Sequence, residues 1–401
     1  MPIANAFVAP DVQVGRAALD VPASWRAAAI SVERADAARL AALDADWRDL
    51  VTRSDEPNVF MDPALLHLAG DSCITLLARN GESKLMGVWA FSVARHPVLP
   101  IKLLRAPALP YSYLATPVVD RTAAHAVIAA LLDFIALDAA LPKLISLEPI
   151  RTDGSAMHAL TVALADRNSA PYALSEGRRP VLESGLDAKQ YFEKALSGSS
   201  RKKLRQHRRR LEEKGKLDSR ISTTLTDVAP AFEDFLVLEA AGWKGRGGTA
   251  LLCNDAEAKL VRGMVAALAK RGDAWVHALH QNGKMVAAQI VLRAGATAFT
   301  WKTAYDETLG DFSPGMLLLE DYTAAFLADK SIARVDSCSL DETGFMSAWS
   351  ERQEIAHLLI GARQGKPASF AIAAGAYKAF LQVRTAVKQV YLRGRRLWKR
   401  R

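Results

Sequence analysis

A short run in the second half of the chain could bind an anion. Ser313-Pro314-Gly315 precedes Met316 and three leucines. Serine is favoured as an N-cap and proline at the first helical position, so the run predicts a helix capped by Ser313. A helix start offers unpaired N–H groups and a partial positive charge, which suit a phosphate. Ser313, Pro314, Gly315 and Met316 are therefore candidate phosphate-binding residues, although the run is also an ordinary helix start.

A glycine-rich segment carries an aromatic residue and two cations. A predicted helix ends at Gly242, and Trp243, Lys244 and Arg246 follow in a loop. Glycines let a backbone adopt positive φ or approach a ligand closely. One interpretation is a substrate-binding loop, with Trp243 stacked on a ring and a cation at an anionic group. The other is a flexible surface loop anchored in the core by Trp243.

Lys302, Tyr305 and Asp306 are predicted to end a strand just before the helix at Ser313, and so to face the same cleft. Asp336 lies in a second predicted strand region. A carboxylate can act as a general base, and a hydroxyl can stabilise an oxyanion. Asp306 or Asp336 is a candidate base, and Tyr305 or a backbone N–H a candidate donor. The alternative is that both aspartates make structural hydrogen bonds.

Other reactive residues predict no site. Cys73, Cys253 and Cys338 are far apart, without metal-ligand spacing or a disulfide framework, which fits a reducing cytoplasm. Cys338 and His357 could suggest a nucleophile and a base, but a buried strand cysteine is the favoured interpretation. No histidine pair has helical metal-ligand spacing. No metal is predicted.

Tight turns divide the chain into two similar halves. Asn80-Gly81 and Asn282-Gly283 predict hairpins between apolar strands. In each half helices precede the hairpin, and a strand region, a helix and a short strand follow it. The predicted helices are 35–50, 63–69, 123–140, 228–241, 255–270 and 315–328. The predicted strands are 73–78, 85–93, 144–150, 274–279, 285–292 and 333–338. The order indicates an α/β protein with mixed sheets, although many α/β folds share it.

Breaks in the pattern predict the domain organisation. Gly177, Arg178, Arg179 and Pro180 indicate a linker near residues 176–185, and Asp187 is a predicted helix cap. The predicted domains are residues 25–180 and 186–365. A basic helical tail, residues 366–401, follows them.

The formal charge of +9 is concentrated in two segments. The tail has ten Lys or Arg and no Asp or Glu, with apolar residues at near-helical spacing. The segment 201–210 is the second, and the remainder is near neutral. The tail predicts a helix on an anionic membrane surface, or one packed on the body with a solvated basic end. No stretch reads as a transmembrane helix or a secretion signal, so we expect a cytoplasmic protein, which would be peripheral at the inner membrane face if the tail lies on a membrane.

Four segments of the second half occur in the order of a known family. They are 198–205 with Arg208, Arg209 and Leu211; 239–251; 302–306 followed by 313–318; and 336–341 with Met346 and Trp349. This order resembles the acetyltransferase family associated with bacterial cellulose and exopolysaccharide biosynthesis, a relative of the Fem-type peptidyltransferases. The resemblance covers about residues 35–361, and its motifs are dense only in the second half.

The resemblance implies two tandem GNAT-like (acyl-CoA N-acyltransferase) domains. The implied reaction moves an acyl group from acetyl-CoA or another acyl-CoA to an amino group of a saccharide or cell-envelope precursor. The helix start at 313–316 would then bind the coenzyme A pyrophosphate. The implied acceptor-binding residues are Glu239, Trp243, Lys244, Arg246 and Lys302.

Two alternatives stay open at this point. The chain lacks the Arg/Gln-x-x-Gly-x-Gly/Ala form of the GNAT phosphate loop, as Fem-type proteins commonly do, and the donor could instead be aminoacyl-tRNA. The segment 201–210 would then contact RNA phosphates. Against this, the helical arm that Fem-type enzymes often carry is not evident. The second alternative is a non-catalytic accessory protein of a polysaccharide synthase.

Overall fold

The computed structural model describes residues 29–339, 345–365 and 367–398. The side chains of Asp71 and of residues 388–398 are not described. Several predicted features therefore lie partly outside the described residues. These are residues 25–28 of the first predicted domain, Leu340 and Asp341 of the fourth motif, and Lys366 and residues 399–401 of the tail.

The described residues alternate between strands and helices in the order expected of an α/β protein. The strands are β1 (Ser31–Ala35), β2 (Ile74–Arg79), β3 (Leu85–Arg95), β4 (Lys102–Ala106), β5 (Val118–Val119), β6 (Leu144–Arg151), β7 (Tyr172–Leu182), β8 (Leu217–Ser222), β9 (Ala274–Gln281), β10 (Lys284–Ala294), β11 (Thr297–Tyr305), β12 (Arg334–Asp336) and β13 (Glu351–Gly361). The helices are α1 (Ala37–Ala41), α2 (Asp44–Arg53), α3 (Pro63–His67), α4 (Ala124–Leu137), α5 (Ser155–Asp166), α6 (Ala188–Ala195), α7 (Gly198–Glu212), α8 (Leu225–Ala241), α9 (Trp243–Arg246), α10 (Asp255–Ala269), α11 (Pro314–Ala328) and α12 (Ala368–Trp398).

Both predicted hairpins are confirmed. Strands β2 and β3 pair antiparallel around Asn80-Gly81, and β9 and β10 pair around Asn282-Gly283. Asp187 caps α6 in a capping box, also as predicted. The predicted helix 35–50 is instead two helices, α1 and α2. Asp36 caps the first of them, because its carboxylate accepts the Arg39 N–H at 2.7 Å.

One mixed sheet runs through both halves of the described chain. Its order is β1-β2-β3-β4-β6-β13-β7-β12-β11-β10-β9-β8, and β5 pairs with β3. Strand β13, from the end of the second half, pairs with β6 on one side and β7 on the other. Strand β7 also pairs with β12. The halves are therefore joined by backbone hydrogen bonds between strands that lie far apart in the sequence.

The linker predicted at residues 176–185 is wrong. Residues 176–182 belong to β7, in the middle of the sheet. Gly177 and Pro180 are strand breakers by local propensity, but pairing on both sides outweighs propensity in a central strand. The pairings of β7 and β13 reach both halves, so the exact domain bounds stay a prediction.

A buried ion pair crosses the junction between the halves. Nη1 of Arg179 on β7 lies 3.1 Å and 3.2 Å from the two carboxylate oxygens of Asp336 on β12. Arg179 also donates through Nη2 to the Tyr113 carbonyl at 2.9 Å, and Asp336 accepts the Cys338 N–H at 2.7 Å. The side chain of Arg179 is 0% exposed and that of Asp336 is 3% exposed. Apolar packing continues beside the pair, where the rings of Phe60 and Phe299 lie 5.5 Å apart.

We predict that Asp336→Asn lowers the free energy of unfolding by about 3–5 kcal/mol, because it leaves a guanidinium buried without a counterion. The asparagine can still accept the Cys338 N–H, so the loss reports on the charge. Replacing both partners, in Arg179→Met with Asp336→Asn, should be less destabilising than Asp336→Asn alone. Urea denaturation of the three variants and the parent measures this. A loss below about 1 kcal/mol for Asp336→Asn would contradict the structural role of the pair.

Candidate active site

The end of β11 and the start of α11 form a corner beside an open strand edge. Strand β12 pairs with β11 only from Thr297 to Phe299. Beyond Phe299, β11 continues to Tyr305, and within the described residues no β12 residue pairs with it. Residues 307–312 form a short 3₁₀ helix, and α11 begins at Pro314. Residues 300–305 therefore have no strand partner on the β12 side among the described residues, and Tyr305 at their end lies next to the start of α11.

The first turn of α11 leaves one backbone donor available. Ser313 occupies the N-cap position, as predicted, but its φ of 50° and ψ of 54° are left-handed and its side chain makes no capping bond. The predicted side-chain cap is therefore wrong. The Ser313 carbonyl instead accepts the N–H groups of Met316 at 2.9 Å and Leu317 at 3.2 Å. Pro314 has no N–H, so Gly315 carries the N–H that has no described partner. Left-handed backbone at a residue other than glycine costs energy and is frequent at ligand sites.

Tyr305 lies next to this helix start. A Cβ atom placed on Gly315 would lie 3.5 Å from Cδ1 of Tyr305, which is ordinary van der Waals contact. The Tyr305 side chain is partly open to solvent, with 41% of the residue exposed. The structure therefore brings the Tyr305 ring next to a helix N-terminus.

Helix α7 packs against α11 and holds it through Arg208. Arg208 donates through Nη2 to the Leu317 carbonyl at 3.3 Å and to the Asp321 carboxylate at 2.6 Å. Arg208 is therefore occupied in positioning α11. Five other cations of α7 are exposed: Lys202, Lys203, Arg205, Arg209 and Arg210.

The segment predicted as a glycine-rich loop is a tight helical turn, α9, packed on the end of α8. A Cβ atom on Gly245 would lie 1.8 Å from the Ala240 carbonyl oxygen, so glycine is required by a contact within the chain. Glu307 holds the turn in place: it accepts the Trp243 N–H at 2.6 Å and pairs with Arg246. Trp243 is 59% exposed, so its ring is free to stack on a ligand. The interpretation of Trp243 as a core anchor is excluded.

Lys244 and Glu239 bind each other. The Lys244 ammonium lies 2.7 Å from a Glu239 carboxylate oxygen and donates to the Thr303 carbonyl at 3.2 Å. The other Glu239 oxygen accepts the Leu251 N–H at 2.9 Å. Both side chains line a recess of about 30 Å³, large enough for one water molecule, together with Trp243 and Tyr305. The recess brings four of the predicted residues into one place.

Lys302 is a partly buried cation on β11. Its ammonium lies 3.9 Å from the centre of the Tyr111 ring, a cation–π contact. Burial lowers the pKa of Lys302 from 10.5 to about 8, because charge is poorly solvated there; the Glu239 carboxylate opposes this shift and the Lys244 cation adds to it. Lys302 is therefore an amine that loses its proton near pH 8 rather than near pH 10.5.

The two aspartates proposed as bases are both engaged in structural contacts. Asp306 caps the short helix after β11, because Oδ1 accepts the N–H and hydroxyl of Thr308 at 2.9 Å and 2.6 Å. Its second oxygen lies 3.9 Å from the Lys284 ammonium. Asp336 is buried against Arg179. The geometry favours the structural interpretation for both residues.

Sequence reasoning missed the contribution of the first half to this region. Tyr111 has left-handed backbone, with φ of 59°. Its carbonyl accepts the Trp301 indole N–H at 2.7 Å, and its hydroxyl donates to Glu257. Burial, and then that hydrogen bond, raise the pKa of Tyr111. The Pro110-Tyr-Ser-Tyr113 run gave no local signal for these contacts.

A larger groove lies away from the predicted residues. It has a volume of about 530 Å³ and lies in the first half, beside β3, β4 and the segment before Tyr111. Its polar lining includes Arg105, Glu148, Ser92 and Ser112. Size alone would favour this groove as the reaction site. Among the residues that the structure describes, the helix start, the open strand edge and the low-pKa amine occur together only around β11, so the candidate active site is placed there.

Cys338 is not an activated nucleophile. It is buried just after β12, and burial raises the pKa of its thiol, with a further increase from the Asp336 charge. The thiolate is therefore disfavoured. This agrees with the sequence-based choice of a structural cysteine.

Comparison with known proteins identifies the type of domain. Residues 198–343 match the sequence profile of the acetyltransferase (GNAT) domain, which includes the β11–α11 corner. A search of curated proteins gives no match to the chain.

Solved structures share the fold. FemX has a TM-score of 0.53 at 12% identity, over 81% of this chain and 96% of FemX. The C-terminal domain of a protein described as a lysylphosphatidylglycerol synthetase from Agrobacterium fabrum has a TM-score of 0.52 at 14% identity, over 84% of this chain and 94% of that domain. A conserved protein of unknown function from Bacteroides thetaiotaomicron has a TM-score of 0.51 at 14% identity, over 83% and 100%.

These similarities show that the chain has the fold of FemX-like structures, an α/β fold with a mixed sheet, as the sequence predicted. They do not extend to a substrate, because the identities are low. The match to the sequence profile adds a reaction type, acyl transfer, for residues 198–343. The chain therefore carries a GNAT acetyltransferase domain over residues 198–343, and it is an acyltransferase.

Proposed function

We propose that the protein transfers an acyl group, in the first instance acetyl, from acyl-CoA to an amino group of a saccharide or cell-envelope precursor. The observation that carries the proposal is the β11–α11 corner. It combines a helix N-terminus that can bind the pyrophosphate of coenzyme A with an open strand edge that can bind its extended pantetheine arm. Backbone N–H and C=O groups on such an edge can pair with the amide groups of pantetheine.

The acceptor is assigned to the other side of the corner. The exposed Trp243 ring offers a flat apolar surface that suits the face of a sugar ring. The saccharide itself rests on the family resemblance. Arg246 and Lys244 are paired with carboxylates, so in this proposal they hold α9 and the recess in shape.

Lys302 is the group we assign as the general base. An amine nucleophile must be neutral and must lose a proton as it attacks the thioester carbon. The new N–C bond forms, the C–S bond breaks, and the proton passes to neutral Lys302. The Tyr305 hydroxyl, beside the helix start, donates to the oxyanion or to the departing thiolate. Asp306 and Asp336 lose the base role because their oxygens are engaged.

Aminoacyl-tRNA is a second candidate donor, favoured by the five exposed cations of α7. Purified protein supplied in parallel with radiolabelled acetyl-CoA and radiolabelled aminoacyl-tRNA, with glucosamine and an amino-sugar panel as acceptors, separates the donors. Transfer from acetyl-CoA alone supports the leading proposal. Transfer from aminoacyl-tRNA alone would replace it.

We predict that Gly315→Asp weakens coenzyme A binding at least tenfold, because a carboxylate would stand beside the pyrophosphate. The matched control is Gly315→Ala, whose added methyl group meets Tyr305 at an ordinary contact distance. The control should bind within about twofold of the parent. Titration calorimetry measures both variants. Equal affinity for Gly315→Asp and Gly315→Ala would exclude the α11 start as the pyrophosphate site.

We predict that Trp243→Ala raises the KM for glucosamine about threefold to tenfold, because the stacking surface is lost. Its affinity for coenzyme A should stay within about twofold of the parent. Val237→Ala is the control, since Val237 is similarly exposed on α8 but does not line the recess. A weaker affinity for coenzyme A with an unchanged glucosamine KM would move Trp243 to the donor site.

We predict that kcat/KM rises with pH to an inflection near 8 in the parent, because only neutral Lys302 accepts a proton. Lys302→Arg keeps the cation but cannot act as a base, and should lose about 10²–10⁴ in rate together with this inflection. A pH–rate profile of both proteins measures the effect. If the Lys302→Arg variant kept the inflection, Lys302 would have no part in proton transfer.

Denaturation of Lys302→Met shows whether this variant is folded. It also tests whether the buried charge of Lys302 destabilises the parent protein. The pKa of Lys302 is below its unfolded value, so the unfolded chain binds more protons between about pH 8 and 10.5, and stability rises over that range. At pH 7 the buried charge is destabilising. We predict that Lys302→Met raises the free energy of unfolding at pH 7 by about 1–3 kcal/mol. The loss of the cation–π contact with Tyr111 reduces this gain. The gain should shrink as the pH rises from about 8 to 10.5. A loss of stability at pH 7 would contradict the low pKa.

A further inference from the structure

Helix α12 packs on the body of the protein with only its first part. Ala373 and Ala374 are buried, and the Tyr377 hydroxyl donates to Glu148 at 2.8 Å. His96 contacts the Ala373 carbonyl through Nε2 at 3.0 Å. Phe370 and Leu381 lie against Leu174 and Leu359, which belong to β7 and β13. This docked segment ends at Leu381, and from Gln382 to Val387 each side chain is exposed.

A second apolar stripe runs along the opposite side of α12. Ile372 is 64% exposed, and Val383 and Val387 are each 63% exposed. At 100° per residue these three positions fall within about 60° of one another, and their mean direction is about 130° from that of the docked residues. In the sequence, Val390 and Leu397 continue the same spacing. Single apolar residues scattered over a surface are ordinary, whereas these three aliphatic side chains are exposed on the same side of one helix.

The charge of the segment is of one sign. Residues 366–401 contain ten Lys or Arg and no Asp or Glu. Arg384, which is exposed, lies about 100° around the helix from Val383, and in the sequence Lys388 and Arg395 follow it at successive spacings of four and seven residues. From Gln382 onward the sequence thus places apolar residues and cations at separate helical positions, which is the pattern of helices that lie in a membrane interface.

A spanning helix is not the explanation. Within the described ranges, no helix has the length and apolar content needed to cross a bilayer. A partner of this segment must offer an apolar layer for the exposed stripe and negative charge for the cations. An anionic lipid surface offers both, since acyl chains accept the aliphatic side chains while phosphates attract the cations.

We propose that the part of α12 from Gln382 onward lies on an anionic lipid bilayer, with Val383 and Val387 turned toward the acyl chains. The docked segment, Ala368 to Leu381, then fixes the enzyme body at the membrane surface. This inference is independent of the acyl donor. It would bring the candidate active site close to lipid-linked acceptors, in keeping with an envelope precursor as substrate.

The test is flotation of the full chain with vesicles of phosphatidylcholine alone and of phosphatidylcholine with phosphatidylglycerol. We expect binding to the anionic vesicles only, and loss of binding in a form that ends at Gln382. That form keeps the docked segment, so β7 and β13 stay covered and the body should remain folded. Binding should fall steeply between about 0.1 M and 1 M salt, where the Debye length shrinks from ~10 Å to ~3 Å.

Two double variants separate the apolar stripe from charge alone. Val383→Glu with Val387→Glu places two carboxylates on the stripe. Gln382→Glu with Thr385→Glu makes the same change of net charge, but at positions that lie outside the apolar stripe. The first should abolish binding, and the second should weaken it by roughly fivefold per charge.

Three results would overturn the proposal. They are equal binding by the full chain and the form that ends at Gln382, equal effects of the two double variants, and binding of the full chain to RNA without any binding to anionic vesicles. Circular dichroism and thermal midpoints of all variants verify that each is folded. Acetyl-CoA turnover measured without vesicles should be unchanged in every variant, so failure here is distinguishable from failure of the proposed reaction.

Discussion

The buried ion pair between Arg179 and Asp336 is the interaction on which the arrangement of the two halves depends. It joins the neighbouring strands β7 and β12, and the same guanidinium holds the Tyr113 carbonyl. The segment that contains Tyr113 also carries Tyr111, which covers Lys302. A charge pair with no solvent is costly to separate, so it holds the Tyr113 segment over β11 together with the Trp301–Tyr111 hydrogen bond and the strand pairing. The ion pair thus links the fold to the chemistry of the candidate site.

The candidate site follows from how β11 ends. Its last residues have no β12 partner among the described residues, and the chain then reverses through a short helix into α11. Asp306 and Glu307, both acidic, stabilise that reversal and the α9 turn next to it. Most charged side chains here are therefore occupied in holding backbone. Lys302, Tyr305, Trp243 and the Gly315 N–H remain for ligands, which is a small set but sufficient for acyl transfer.

The predictable features were those with local causes. Asn-Gly turns, apolar alternation and the Ser-Pro-Gly run act over a few residues, so the hairpins, most helices and the location of the β11–α11 corner could be predicted. Strand β7 could not, because its glycine and proline indicate a break while its partners, β12 and β13, lie far along the chain. The roles of Asp306 and Asp336 were equally hidden. Whether a carboxylate is free or bonded depends on tertiary contacts, and so does the burial that lowers the pKa of Lys302.

The central claim is that acyl-CoA binds between β11 and the start of α11. Hydrogen–deuterium exchange of the parent protein, with and without acetyl-CoA, tests it by locating the protected backbone. The account predicts slower exchange in peptides that cover the end of β11 and the first turn of α11, from about residue 300 to residue 318, where N–H groups would bond to the ligand. Protection confined to the groove beside β3 and β4, with no change at the α11 start, would contradict it.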